Sequence, residues 1–497
     1  MGKLKFWILG ILAAVMVLVA IVMMRTAALA PEPVDSSVKP LELSVIDAGE
    51  AAKSLSKAIQ FKTVTDQDPA KTDWTAFTAF QDWLKIRYPE FHAAVQSRLL
   101  ADYTPYHVWQ GRNPDLNPMV FLAHQDVVPA IEDDPGWIHP PFAGLIADGF
   151  IHGRGAIDDK GSLIGIMEAA NNLAARGYQP ERTLIFVFGH DEEVLGSGAK
   201  SAAQYMKDNG ITPEAVIDEG GAMITGLNGV SEPVAMIGVT EKGYFTVRVT
   251  ARARGGHSSA PAKVSAIGSL SRAIIAIEEN PFDHGLNDVT TGMLKAFAPK
   301  QGFKERMAIA NLWLFKGSVE AALHETDATR TMLGTSIAPT IINAGVKENA
   351  LPREASALVN LRVHPRDSHA SVLAHLRKAV NNPDITIEPT EGEHTEPAPI
   401  SPIGTGTYKL LEDLIQDVFP GRAVAPNMLA GGTDSRYFVI VTPNIYRFAP
   451  FDFEMEDMTR AHGLNERMSV EGFARGIAIY EEMFKRAGAS PSKKPEK

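Results

Sequence analysis

Four short stretches of this chain end in, or carry, side chains able to hold a cation or move a proton. "MVFLAHQD" ends in His124 and Asp126, and "HGRGAIDDKGSL", residues 152–163, sets Asp158 beside Asp159. "TLIFVFGHDEE" ends in Glu192 and Glu193, and "EAVIDEGG" carries Asp218. Singly, each has a plain explanation. Adjacent aspartates suit a helix N-terminus, where unpaired amides and the helix dipole favour negative charge. A buried His near an Asp is often structural, and loop glutamates are often simply solvated. Together they offer imidazole and carboxylate donors without sulfur, a set suited to zinc and also to cobalt or manganese. The chain contains no cysteine, which removes disulfides, thiolate ligands and a cysteine nucleophile at once.

These residues need elements that converge them. The three apolar runs before His124, Glu192 and Asp218 are short and nearly continuous, the pattern of strands buried on both faces of a mainly parallel sheet. In such sheets the ligand site lies outside the carboxyl ends of the strands. Asp126, two residues after His124, shares its side of a strand and is placed to orient the imidazole. After the paired aspartates, Leu163, Ile166, Met167, Ala170 and Leu173 recur at helical spacing, and Gly177 is placed to end that helix. Near the other end, "GTYKLLEDLIQDVF" reads as a helix, "NIYRFAPF" as a strand, and the closing segment as a long helix capped by Ser469. From about Tyr244 the pattern becomes alternating strand, helix, strand, helix, strand, which predicts a smaller α+β domain inserted at 243–393. The fold class is therefore α/β, with a mainly parallel catalytic sheet split into 45–242 and 394–487. Residues 281–335 form an extra loop-and-helix region within the insertion, and the pattern does not predict its shape.

Composition bounds the partners. At 497 residues two domains are expected rather than one. A net charge of −11 gives no support to a nucleic-acid partner and argues mildly against polyanionic substrates. Lys3 and Lys5 precede an uncharged apolar run, Phe6 to Met24, close to the roughly 20 residues that span a bilayer. Residues 1–30 therefore read as a signal anchor with its lysines in the cytoplasm, followed by a linker, 31–44. A cleaved signal is the competing reading, since "ALA" at 28–30 resembles a cleavage site. Either reading puts the bulk of the chain outside the cytoplasm, membrane-anchored in one case and secreted in the other. Residues 488–497 read as a disordered tail.

Seven stretches, "HQDVVP", "GRGAIDDKGS", "GHDEEVLGSGA", "VIDEGG", "GGHSSAP", "GGTDSRYF" and "AHGLNERM", stand in the order and approximate spacing of the M20 metallopeptidases and amidohydrolases. The chain most resembles their carboxypeptidase S and N-acyl-amino-acid hydrolase branch, over about residues 45–487. The resemblance implies a di-zinc catalytic domain with an inserted lid. In it, His124 and Asp218 bind one zinc, Glu193 and His462 the other, and Asp158 bridges the two, followed by a cis peptide bond to Asp159. Glu192 is implied as the general base, passing a proton from a cation-activated water to the leaving amine. His257 is implied to stabilise the oxyanion, Arg436 to hold a substrate carboxylate, and Asn349 to contact substrate or oxyanion. Plain alternatives for His257 and Asn349 are a loop histidine and a turn asparagine. A homodimer through the inserted domain is also implied, although residues 281–335 either cover or enlarge that surface.

The expected activity is hydrolysis of an amide bond beside a free carboxylate. Two substrate classes fit it equally, short peptides cut at their C-terminal residue and N-acyl amino acids. Because the reaction is reversible, an N-fatty-acyl-amino-acid hydrolase/synthase belongs to the second class. A non-catalytic binding protein with the same fold is the contrary reading, and the presence of every implied ligand and of Glu192 weighs against it.

Overall fold

The computed structural model describes residues 2–31, 37–227, 230 and 232–490. Residues 32–36 of the expected linker and 491–497 of the expected tail lie outside the described residues. Gly488, where that tail was expected to begin, is tied down, its carbonyl accepting from Glu181 N at 2.8 Å and Arg182 N at 2.9 Å.

The chain divides into two compact units. The larger comprises Pro31–Val239, Ser401–Asn427 and Thr433–Lys497. The smaller comprises Thr240–Ile400, the N-terminal helix and Met428–Gly432, against a sequence expectation of 243–393.

In the larger unit four parallel strands lie side by side in the order Leu184–Gly189, Met119–His124, Ala215–Asp218, Ile445–Arg447. Every residue of these strands is buried, which is why their sequences are apolar without alternation. Antiparallel strands adjoin them on both sides: Gln96–Leu100 and Thr104–Trp109 extend one edge, and Val234–Glu241 runs against Ile445–Arg447, with a parallel pair, Met223–Thr225 and Asp452–Glu454, beyond it. The sheet is thus mixed at its margins and parallel where the site residues emerge. Helix Lys160–Ala175 buries Leu163, Ile166, Met167, Ala170 and Leu173, and Gly177 follows with φ 73°. Helix Val470–Ala487 is capped by Ser469, whose side chain accepts from Gly472 N at 3.2 Å. Its Phe484 meets the sheet edge-on at Phe121 and Phe186, with ring centroids 4.7 and 5.3 Å apart. Burying side chains of this size is worth roughly 1.5–3 kcal/mol each, so this layer holds the strand ends in fixed relation.

The smaller unit is a four-stranded antiparallel sheet in the order Ser336–Ala344, Glu354–Val363, Gly243–Arg252, Ile385–Pro389. Phe245, Val247, Val249 and Ala251 alternate into its core, against Leu270 and Ala273 of helix Ala266–Glu278 and Val372 and Leu376 of helix His369–Val380. The stretch whose shape the sequence left open contains helices Asp288–Phe297, Phe303–Ala310 and Leu312–Leu323. These enclose a small core of their own around Leu286, Val319 and Leu333. The N-terminal helix runs Gly2–Ala28, and Leu4–Ala28 is long and apolar enough to cross a membrane.

Candidate metal centre

The site belongs to the larger unit and is built at the carboxyl ends of its parallel strands. His124 is the last residue of Met119–His124, and Glu192 and Glu193 follow Leu184–Gly189 in a single short 3-10 turn. Asp218 ends Ala215–Asp218, and Asp158 precedes helix Lys160–Ala175. His462 reaches the cluster from the segment before the C-terminal helix, at φ 58°. The Asp158–Asp159 peptide bond is cis.

Asp158 lies at the centre. Its Oδ1 is 3.0 Å from His124 Nε2 and its Oδ2 is 3.0 Å from His462 Nε2. His462 Nε2 is also 2.9 Å from Glu193 Oε2. Two groups of donor atoms, each within 4.8 Å of one another, share this carboxylate: His124, Asp158 and Glu219, and Asp158, Glu193 and His462.

The supports are as specific as the donors. His124 Nδ1 faces the Asp126 carbonyl at 3.0 Å, an arrangement that leaves Nε2 for a ligand. The Asp126 carboxylate is fully buried; it accepts from Thr65 Oγ1 at 2.8 Å and from the backbone N–H groups of Glu192 and Glu193, each at 3.1 Å. One aspartate therefore sets both the imidazole and the glutamate turn. Glu466 holds the loop before Asp158, accepting from Ile157 N at 2.7 Å, Gly155 N at 3.0 Å, Asp158 N at 3.1 Å and Arg154 Nη1 at 2.7 Å.

Electrostatics follow from packing so many acids out of water. Burial, with Asp158 nearby, pushes the Glu193 carboxyl up to about 7. Burial also raises Glu192, against the pull of Arg436, and drives Glu219 well above the usual carboxylate range. Burial opposes charge on Asp158 too, but hydrogen bonds from His124 and His462 outweigh it and hold that group well below the usual range. His462 is lifted to about 10 by its bonds to Asp158 and Glu193. Glu193 Oε1 is buried without a hydrogen-bond partner among the described residues. An acid-rich, partly unsatisfied cluster of nitrogen and oxygen donors is what a pair of dications would compensate. The residues present fit the binding of divalent cations, and Asp158 belongs to both donor groups.

Asp218, which the motif resemblance implies as a ligand, stands outside these two donor groups. Its carboxylate is turned to backbone, accepting from Glu219 N at 2.9 Å and Ser435 N at 2.8 Å. It is Glu219, one residue on, whose oxygen joins His124 and Asp158. Glu219 and Glu466 both lie inside motifs read from sequence, but nothing in their spacing separates them from their neighbours. Arg436 is buried and hydrogen-bonded to Glu192 Oε1, so in this structure it is engaged with a carboxylate of the chain itself. His257 and Asn349 belong to the smaller unit, where Ser258 N donates to the Asn349 carbonyl at 3.1 Å and His257 Nδ1 lies 2.8 Å from Ser259 Oγ. The structure thus brings those two together within the smaller unit.

The model of peptidase family M20/M25/M40 matches residues 120–486. The chain belongs to the M20 peptidase family. Among M20 relatives, "Probable carboxypeptidase S-like 2" of Dictyostelium discoideum is 35% identical over 464 residues, covering 92% of this chain and 88% of that one. The N-fatty-acyl-amino acid synthase/hydrolase PM20D1 of Xenopus tropicalis is 34% identical over 488 residues, covering 96% and 94%. The M20 metallo-carboxypeptidase Sso-CP2 of Sulfolobus solfataricus shares the fold, with a TM-score of 0.65 at 17% identity over 88% of this chain and 99% of that one. The M20 fold, with its mainly parallel central sheet, and hydrolase function are thereby shown for this chain.

Proposed function

We propose that this M20 protein is a two-cation amidohydrolase that cleaves an amide bond beside a free carboxylate, in N-acyl amino acids and at the C-terminal residue of short peptides. The observation that carries the reading is the meeting of two donor groups at Asp158, next to a largely buried glutamate, Glu192, that belongs to neither. His124, Asp158 and Glu219 would hold one cation, and Asp158, Glu193 and His462 the other. Donor type favours zinc, with cobalt and manganese also suited. Such a pair, when bound, lowers the pKa of water and polarises an amide carbonyl.

The remaining work falls to the chain. Glu192 takes the proton of the attacking water and delivers it to the leaving amine nitrogen; burial, which raises its pKa, suits it to both transfers. The N–H of Glu192 bonded to Asp126 fixes the base relative to His124. Arg436 orients the Glu192 carboxylate and, on exchanging that partner, clamps the free carboxylate of the substrate through its guanidinium fork. His257 and Asn349 are assigned to the oxyanion and the substrate respectively. Hydrolysis being reversible, the same residues serve condensation of a fatty acid with an amino acid at high reactant concentration. The N-terminal helix is assigned as an anchor, with the catalytic region extracytoplasmic. A homodimer is assigned to the smaller unit, whose edge strand Ser336–Ala344 exposes Ile341 and Ile342.

Similarity to fatty-acyl hydrolases along nearly the whole chain, together with the apolar helix, favours long acyl substrates. The test is amine release by the zinc-loaded full chain from Gly-Leu-type dipeptides and from N-acyl leucines of increasing length, with Glu192→Ala as control. Rates that climb with acyl length support the reading. Preference for the dipeptides would make the chain a carboxypeptidase, and silence on both with two cations bound would overturn the proposal.

A further inference from the structure

The N-terminal helix is packed into the smaller unit. Near its C-terminal end it lies on helix Phe303–Ala310, and Val22 and Thr26 are buried there. Asn311, fully buried between the helices Phe303–Ala310 and Leu312–Leu323, donates its amide to the Val22 carbonyl at 3.2 Å and to Thr26 Oγ1 at 3.3 Å, as well as to the Met307 carbonyl at 2.9 Å. Arg25 Nε donates to the Ala310 carbonyl at 3.3 Å. A buried amide is costly unless hydrogen-bonded, and two of the three acceptors of Asn311 come from the N-terminal helix. A segment lost on translocation could not serve as that partner.

Around this junction the smaller unit exposes apolar side chains that no part of its own core needs. Phe303 is 49% exposed, Trp313 53% and Leu314 46%. Trp313 Nε1 donates to Asn311 Oδ1 at 3.3 Å, so its polar edge is tied to the junction while much of the ring remains open. Lys300, Lys304, Arg306 and Lys316 flank these residues, with Glu305 the one acid between 300 and 316, in a chain of net charge −11. An aromatic residue and a basic margin at the end of an apolar span match the headgroup boundary of a bilayer.

We propose that helices Phe303–Ala310 and Leu312–Leu323 seat on the extracytoplasmic face of the bilayer crossed by the N-terminal helix, with Phe303, Trp313 and Leu314 entering the boundary between headgroups and acyl chains. This rests on retention of the N-terminal helix as a span and is independent of which amide is cleaved. The smaller unit is then held to the lipid surface by both the span and the seat. An amphiphilic substrate with a long acyl chain would concentrate in that same surface.

The cysteine-free sequence makes the test direct. Full-length Leu314→Cys, Phe303→Cys, Leu18→Cys and Val346→Cys variants are nitroxide-labelled and reconstituted in vesicles of phosphatidylcholine and phosphatidylglycerol. Label depth is read from the ratio of oxygen to nickel-chelate accessibility. Leu18 lies within the span and Val346 is fully exposed at 102%, giving the lipid and water references. The expected result is a lipid-like ratio at 314 and 303, several-fold above that at 346, with Trp313→Glu lowering the ratio at 303 but not at 18. If Leu314→Cys fails to fold, Phe303→Cys carries the test. Water-like labels at 303 and 314 with a lipid-like label at 18 would overturn the seat while leaving the span. A water-like label at 18 would overturn both. Spin–spin broadening between copies at 314 would assign the face to a second copy of this chain and overturn the proposal.

Discussion

Asp218 and Glu219 are neighbours of like charge at one strand end whose carboxylates face different partners, so removing the charge of each in turn gives a sharp prediction. Glu219→Gln keeps the size of the side chain and removes its charge, leaving the first donor group with His124 and the shared Asp158. Loss of a residue that merely orients a ligand costs about 10–100-fold in cation affinity, so loss of a direct donor costs at least about 100-fold, or roughly 2.8 kcal/mol. Asp218→Asn leaves the donors intact. It turns an amide group toward one of the two backbone N–H groups, of Glu219 or Ser435, that the carboxylate now satisfies. A hydrogen bond to a charged group contributes about 1.5–3 kcal/mol, so stability falls by that order. The assay is zinc content by mass spectrometry after equilibration at buffered free zinc, paired with thermal unfolding of the same samples. The expected outcome is one zinc per chain for Glu219→Gln, and two for Asp218→Asn with a lowered Tm. One zinc in Asp218→Asn and two in Glu219→Gln would refute the reasoning and restore the assignment read from sequence.

Other consequences can be checked separately. Glu466→Gln keeps one acceptor oxygen but turns its amide group either toward Ile157 N and Asp158 N or toward Gly155 N and Arg154, and it removes the counter-charge of buried Arg154. It should cost about 3–5 kcal/mol in urea unfolding and weaken zinc binding through the Asp158 loop, and an unchanged midpoint would count against the clamp. His462, held at about 10, and His124, raised because its bonds to Asp126 and Asp158 outweigh the opposing effect of burial, both carry a proton near pH 7. Cations must displace those protons, so calorimetry in buffers of different ionisation enthalpy should report more than one proton released per chain, and affinity should rise from pH 6 to 9. Heat that does not vary with buffer would contradict this. Burial pushes His107 down from the ordinary 6.5 to about 3. Between those values the unfolded chain binds the extra proton, so this residue's contribution to stability is complete above pH 6.5 and declines as pH falls toward 3. The loss reaches at most about 3 kcal/mol by pH 4, and His107→Gln should flatten the fall relative to the parent chain in chemical denaturation; parallel curves would exclude the assignment.

Much of the site was legible in the amino-acid order because its chemistry is local. Short apolar runs without alternation suit strands buried on both faces, and in a mainly parallel sheet their last residues lie at the edge where ligands bind. That rule places His124, Glu192, Glu193 and Asp218 alike at the sheet edge, while their separate roles, with Asp158 and His462, came from the motif resemblance; the helix behind the paired aspartates and the Ser469 cap were equally plain from spacing. The antiparallel margins were not, since a strand's direction relative to its neighbour depends on chain routing rather than on which of its faces are apolar.

What the sequence determined by itself is the inventory: which residue types can hold a cation, which runs are buried, and roughly where the insertion begins and ends. Tertiary structure decided how adjacent, chemically equal groups divide their work. Asp218 and Glu219 are distinguished by the N–H of Ser435, more than two hundred positions away, which donates to one carboxylate while the other lies beside His124 and Asp158. Glu466 acquires its role only where the chain returns past Ile157 and Asp158. Asn311 likewise acquires its partners only when a helix that closes near residue 28 packs beside it. Residue type sets what a side chain can bind, but hydrogen-bond directions and burial are properties of neighbours brought together by folding, and no local pattern encodes them.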